Sequence, residues 1–319
     1  MMNLFKDFVG QESVKRKLEF HLRSHAATAI APHILLVAPR GYGKTTFAVE
    51  FARNLISKTT NKKKNIALIN CSIIKNINNF FDNFVIAGGL FGEGEVTYIF
   101  DECSEMPEDV TMALLTILNP TKENGNTFLF KGEPFYFNFA KQSFLFATTE
   151  PQKVSIALMD RLRRIDFEDY TSNDLAKIMN GVLKNVSIEK GLIETISQDI
   201  RSSGRQAIAM ADDINSHLAS SKKTTLVTED WRRIKKELGI LPLGLNDTEL
   251  RVMKVLKERG ETKLTAIASI MNMTRESIQR DIESYLQKKN LIQINPAGRS
   301  LTMAGRGYLE LINGNSNLK

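Results

Sequence analysis

Four short apolar runs punctuate the first half of the chain, at residues 34–37, 66–69, 96–100 and 143–147, the third ended by two carboxylates and the fourth by two hydroxyl residues. Runs of that length bounded by turn formers predict strands buried on both faces, the pattern of a parallel sheet. Between them the period changes to that of helices. Val14, Leu18, His21 and Leu22 fall on one face before the first run, and Phe47, Ala48, Phe51, Ala52 and Leu55 recur at helical spacing after it. From 127 to 139 aromatic and polar residues alternate, with Phe128 and Phe130 on one arm and Phe135, Phe137 and Phe139 on the other. With Lys131-Gly132-Glu133-Pro134 between the arms, this predicts a hairpin, whose aromatics either complete the core or offer a patch to a partner.

From Thr171 the pattern is helical. Thr171 and Asp174 make a capping signal, and Leu175, Ile178, Met179, Val182 and Leu183 form one apolar face. Further amphipathic stretches at 188–200, 205–219 and 229–238 predict a small all-helical unit with the lone Trp231 in its core. After Pro242 and Gly244 the pattern shifts again. Helices are expected at 246–257 and 264–271, then a third capped by Thr274 with Ile278, Ile282 and Tyr285 on its buried face. Residues 291–294, the turn Asn295-Pro296-Ala297-Gly298 and residues 300–303 read as a two-stranded wing. The expected architecture is an α/β parallel-sheet nucleotide-binding domain at 1–167, a helical lid at 168–242 and a winged-helix domain at 243–319.

The chemistry concentrates where the first strand meets the first helix after it, in HILLVAPRGYGKTT from His33 to Thr46. Strand, glycine loop and helix start in that order place unpaired N–H groups and the positive end of a helix dipole around an anion. Gly41 and Gly43 let the backbone approach phosphate, Lys44 sets a charge at the outer phosphates and Thr45 offers a hydroxyl to Mg²⁺. Ala38 stands where the written pattern begins with glycine. The 96–100 strand runs into Asp101 and Glu102, placed to hold a metal and to orient an attacking water respectively. The 143–147 strand ends in Thr148-Thr149, and Thr148 is the residue expected to sense the terminal phosphate. Thirteen residues on, Arg161 lies in a basic cluster and could reach the nucleotide of a neighbouring subunit.

Composition narrows the class. At 42% hydrophobic and 25% charged residues the chain is ordinary globular material, and its two cysteines and four histidines support neither a disulfide framework nor a zinc site. No apolar run reaches membrane-spanning length and the N-terminus lacks a signal-peptide layout, so a cytoplasmic protein is expected. The net charge of +7 fits an anionic partner. Residues 243–319 hold 12 Lys and Arg against 8 Asp and Glu, and Arg275, Gln279 and Arg280 on the third helix with Arg299 in the wing are placed to reach DNA.

Taken in order, these segments resemble the RuvB family, the AAA+ motors of Holliday-junction branch migration. Phe8-Val9-Gly10-Gln11, Gly41-Tyr42-Gly43-Lys44-Thr45-Thr46, Ile99-Phe100-Asp101-Glu102, Ala147-Thr148-Thr149 and Asp160-Arg161 carry the likeness, with the aromatic hairpin and Leu243-Gly244-Leu245 narrowing it. The resemblance implies a Mg²⁺-dependent ATPase acting in recombination and repair as a hexameric ring on branched or duplex DNA. It further implies Tyr170 at the adenine, Tyr42 and Thr46 among the nucleotide contacts, Arg161 as a finger acting in trans, Arg299 on DNA and a RuvA-like partner at 127–139. The sequence also departs from the family. Ser104 replaces a histidine, Ala207 falls where a second sensor arginine is expected, leaving Arg205 as candidate, Ile294 and Ala297 replace wing arginines, the hairpin is short and the leading Leu-Arg-Pro segment is missing. The rival reading is an AAA+ switch of initiator or loader type that holds DNA through the winged helix without processive migration.

Overall fold

The computed structural model describes residues 4–28, 31–57, 60–86, 95–118, 126–137, 139 and 142–316. The chain divides into two compact units, Met1–Lys184 with Ser202–Asp212, and Asn185–Arg201 with Asp213–Lys319.

The first unit is built on a five-stranded parallel sheet. Its strands are β1 (Ile34–Val37), β2 (Asn65–Asn70), β3 (Val96–Asp101), β6 (Ser143–Thr148) and β7 (Arg163–Asp166), in the spatial order β2-β3-β6-β1-β7. The four predicted runs are all strands; β7 is a fifth, too short and too charged to show as an apolar run. β1 and β6 are buried along their whole length because both faces of the sheet are covered. On one face Tyr98, Phe100, Phe144 and Phe146 stack with ring centroids 5.1–6.1 Å apart, over the helix Glu108–Ile117, which buries Val110, Ala113, Leu114 and Ile117. On the other, Ile34, Leu36, Ile99, Leu145 and Ala147 pack on Val14 and Leu18 of helix Glu12–Thr28 and on Phe47 and Phe51 of helix Lys44–Arg53.

The hairpin is present as β4 (Asn126–Phe130) paired antiparallel with β5 (Glu133–Phe137). The side chains of Phe128, Phe130, Phe135 and Phe137 lie outside the described residues. Phe139 falls beyond the second arm and is buried in the sheet core against Phe144, so it belongs to the core and not to the hairpin surface.

In the second unit the short strands β8 (Ser187–Ile188) and β9 (Thr225–Leu226) pair in parallel, so the stretch expected to be all helical contains a small sheet. Trp231 is buried as expected and donates its indole N–H to Asp199 at 3.2 Å. The winged-helix pattern holds. Helices Asp247–Arg259 and Leu264–Met271 and a third helix over 275–288, widened to a π-turn at Ile278–Glu283, enclose one core with β10 (Ile292–Asn295) and β11 (Gly298–Leu301). The second wing strand begins at Gly298, earlier than predicted, and Met303–Ser316 continues as a helix.

Candidate nucleotide site and winged-helix surface

The loop after β1 emerges at the carboxyl edge of the sheet, where Val37 pairs with Thr148 of β6 and with Asp166 of β7, and where β3 delivers Asp101. Parallel order alone brings the loop, the carboxylates and the two threonines to one edge. Gly41 and Gly43 have φ of +82° and +90°, a conformation L residues rarely adopt, and a Cβ on Gly41 would lie 2.9 Å from Cβ of Arg205. The glycines therefore give the loop both its curl and its close approach to the segment that carries Arg205.

Lys44 is only 6% exposed. Its Nζ donates to the carbonyls of Ala38 at 2.8 Å and Pro39 at 3.2 Å, which fixes the ammonium inside the loop. Burial lowers its pKa; Glu102 and Asp101 oppose that shift, and Arg205 and Arg40 add to it. Thr45 Oγ1 donates to Asp101 Oδ2 at 2.8 Å. A hydroxyl and a carboxylate at that spacing can share one hard cation, and no cluster of three His, Cys, Asp or Glu stands ready to hold a metal among the described residues. That donor set fits Mg²⁺, which keeps water and phosphate ligands and needs few from protein.

Glu102 has φ of +51°, the left-handed region. Holding a non-glycine residue there costs on the order of 1 kcal/mol, which the surrounding contacts must offset. One carboxylate oxygen accepts both the backbone N–H of Thr149 at 3.3 Å and its hydroxyl at 3.1 Å. Here the geometry corrects the sequence reading. Thr148 is fully buried and its hydroxyl accepts the N–H of Glu150 at 3.0 Å, so it caps the strand end, and Thr149 is the residue that meets Glu102. Strand alternation decides which of two adjacent threonines faces the edge, and a Thr-Thr pair carries no signal for it.

Aromatic and aliphatic side chains complete the lining of the cavity. The amide of Gln11 donates to the carbonyl of Glu168 at 2.6 Å and accepts its N–H at 3.0 Å, clamping the segment after β7. Asp169 then accepts the Tyr42 hydroxyl at 2.7 Å, and the Tyr170 hydroxyl donates to the carbonyl of Tyr42 at 3.2 Å. Burial pushes the Tyr170 phenol up to about 12, so it stays a donor. This explains the Phe8-Val9-Gly10-Gln11 motif: Phe8 and Val9 form wall, and Gln11 ties the first helix to the strand end that positions Tyr170. The resulting cavity of about 760 Å³ is lined by Gly41, Gly43, Lys44, Thr45, Thr46, Asp101, Glu102, Tyr170 and Arg205 from the expected set. Arg40 and Lys177, which the motif reading passed over, line it as well. Tyr42 supports it from behind, buried. Ala207 is fully buried and reaches nothing charged.

Arg161 follows the short helix Ile156–Met159, is exposed, and donates from Nη1 to the carbonyl of Ala157 at 2.7 Å. It does not turn into its own subunit's interior.

On the winged helix, Arg275, Gln279 and Arg280 are exposed on the third helix, with Arg280 paired to its neighbour Asp281 at 2.8 Å. Arg299 is ion-paired. Its guanidinium forks onto Glu283, Nε to Oε1 at 2.6 Å and Nη2 to Oε2 at 3.1 Å, with the two side chains 15% and 3% exposed. The fork ties β11 to the third helix. Among the described residues no helix is long and apolar enough to cross a membrane.

A glycine loop at a parallel-sheet edge, with lysine, a threonine–aspartate pair and a glutamate facing one cavity, defines a P-loop ATPase core, here in a chain that ends in a winged helix. Comparison with known proteins narrows the class. Residues 242–310 match the RuvB C-terminal winged helix domain. The Holliday junction branch migration complex subunit RuvB of Mycoplasma pneumoniae is 25% identical over 317 residues, spanning 96% of each chain, and that of Mycoplasma genitalium is 26% identical with the same coverage. Among solved structures, a variant of Thermotoga maritima RuvB superposes with a TM-score of 0.78 at 23% identity, over 96% of this chain and 97% of that one. The chain is thus similar to RuvB along nearly its whole length, at the distance of a divergent relative.

Proposed function

We propose that this chain is a subunit of an ATP-driven motor of Holliday-junction branch migration, working in the cytoplasm as a hexameric ring. The observation that carries it is the convergence of Lys44, the Thr45–Asp101 pair and Glu102, held by Thr149, on one cavity, in a chain that carries a RuvB-type winged helix. In this reading residues 1–167 bind and hydrolyse ATP, 168–242 form the lid and 243–319 hold DNA through Arg275, Gln279 and Arg280. The loop N–H groups, Lys44 and Arg205 bind the phosphates, and Tyr170 lines the adenine end. Glu102, oriented by Thr149, polarises the attacking water, and Arg161 of a neighbouring subunit steadies charge on the transferring phosphoryl group. Mg²⁺ bound at Thr45 and Asp101 would neutralise charge on the outer phosphates. A RuvA-like partner would dock on the hairpin at 127–139.

The test is the ATPase rate with and without a four-way DNA junction, at two salt concentrations, together with migration of that junction. A motor is expected to be stimulated, less so at higher salt because phosphate contacts release counterions. Lys44→Ala should lose nucleotide binding, and Glu102→Gln should keep binding and lose turnover. ATP binding without junction-dependent turnover or migration would point instead to the loader-type switch, and unchanged hydrolysis in both variants would end the assignment.

A further inference from the structure

Arg40 sits in the phosphate loop between Pro39 and Gly41, and neither the motif nor the corrections above give it a task. It lines the cavity, is exposed, and makes no hydrogen bond or ion pair among the described residues. Phe8, Val9, Ile178 and Val182 give the cavity an apolar part, and Arg40, Lys44, Lys177, Arg205, Asp7, Asp101 and Glu102 a charged one. Arg40 stands four residues before Lys44 in the same loop, and both line the cavity. Four cations there face three carboxylates. An exposed arginine with no partner among the described residues, in the same loop as Lys44 and in a cavity whose lining cations outnumber its carboxylates, is placed for an anionic ligand.

We infer that Arg40 is a phosphate-binding residue whose guanidinium contacts the terminal phosphate of the bound nucleoside triphosphate. The inference deepens the nucleotide reading above and rests on it. A terminal-phosphate contact discriminates triphosphate from diphosphate, which a residue that merely shapes the loop would not do.

The measurement is calorimetric titration of the full-length chain with Mg²⁺ and either AMP-PNP or ADP, for the parent, Arg40→Ala and Arg40→Lys. Arg40→Ala should weaken AMP-PNP by about tenfold, equivalent to about 1.4 kcal/mol, and ADP by less than about threefold. Arg40→Lys, which keeps the charge and loses the fork, should fall between. Equal losses for both nucleotides, or no loss, in a parent chain that binds both would overturn the Arg40 assignment alone. A parent chain that binds neither nucleotide would overturn the nucleotide reading and this inference together.

Discussion

Replacing Arg299 by alanine separates a structural role from a DNA-binding one. The fork onto Glu283 is among the most buried ion pairs in the second unit, with Glu283 3% exposed, and it joins β11 to the third helix. Removing one partner of a buried pair costs about 3–5 kcal/mol because the remaining charge stays desolvated and unpaired. Arg299 retains 15% exposure, so water can reach the vacated position and about 3 kcal/mol is expected. For a domain the size of residues 243–319, each kcal/mol shifts the midpoint by about 4–8 °C, so the winged-helix transition should fall by more than 10 °C, roughly. Scanning calorimetry of the full-length chain measures this. Fluorescence anisotropy with a four-way junction, well below the lowered transition, should show affinity and salt slope nearly unchanged. Arg299→Met combined with Glu283→Leu should recover most of the loss, since apolar replacement of both partners removes the desolvated charge. If Arg299→Ala instead melts like the parent while its junction affinity drops and its salt slope falls by about one, the side chain is a phosphate contact and the reasoning from burial is wrong.

Thr149→Val should cut ATP turnover by tenfold or more, about the loss of one hydrogen bond to a charged group, with nucleotide affinity largely kept; Thr148→Val should act on thermal stability, and the reverse pattern in steady-state kinetics would restore Thr148 as the sensor. For Arg161→Ala, hydrolysis should be lost with binding retained, and mixing it with Glu102→Gln should recover part of the activity, because some boundaries then carry one intact arginine and one intact glutamate; a flat mixing curve rules out shared sites. His33 packs against Phe144 and burial lowers its pKa from 6.5 to about 4. The unfolded chain therefore binds the extra proton between pH 6.5 and 4, so the stability tied to the neutral ring is present above 6.5 and lost as pH falls through that window. Urea unfolding of His33→Asn across the same range should show a flatter acid limb, and an identical slope would remove His33 from the account.

The sequence by itself determined the elements whose pattern is local. Apolar runs of strand length set between helical stretches read as buried strands, and GYGKTT between such a run and a helix start reads as a phosphate loop. Two charges in a row after an apolar strand emerge at its end. Thr171 with Asp174 caps its helix, and the helix spacing and turn at 246–303 specify a winged helix. Helix Glu108–Ile117 does carry Val110, Ala113, Leu114 and Ile117 at helical spacing, but over fewer than three turns, whereas strand β7 is short and charged and has no clear period. What only the tertiary structure decided was direction. Whether Thr148 or Thr149 meets Glu102 depends on the phase of β6 against β3, and whether Arg299 is free or paired depends on where a helix sixteen residues earlier in the chain places Glu283. Arg40 stands out only once four cations and three carboxylates share one cavity. Side-chain direction follows from packing between segments distant in sequence, and that information is absent from any local window.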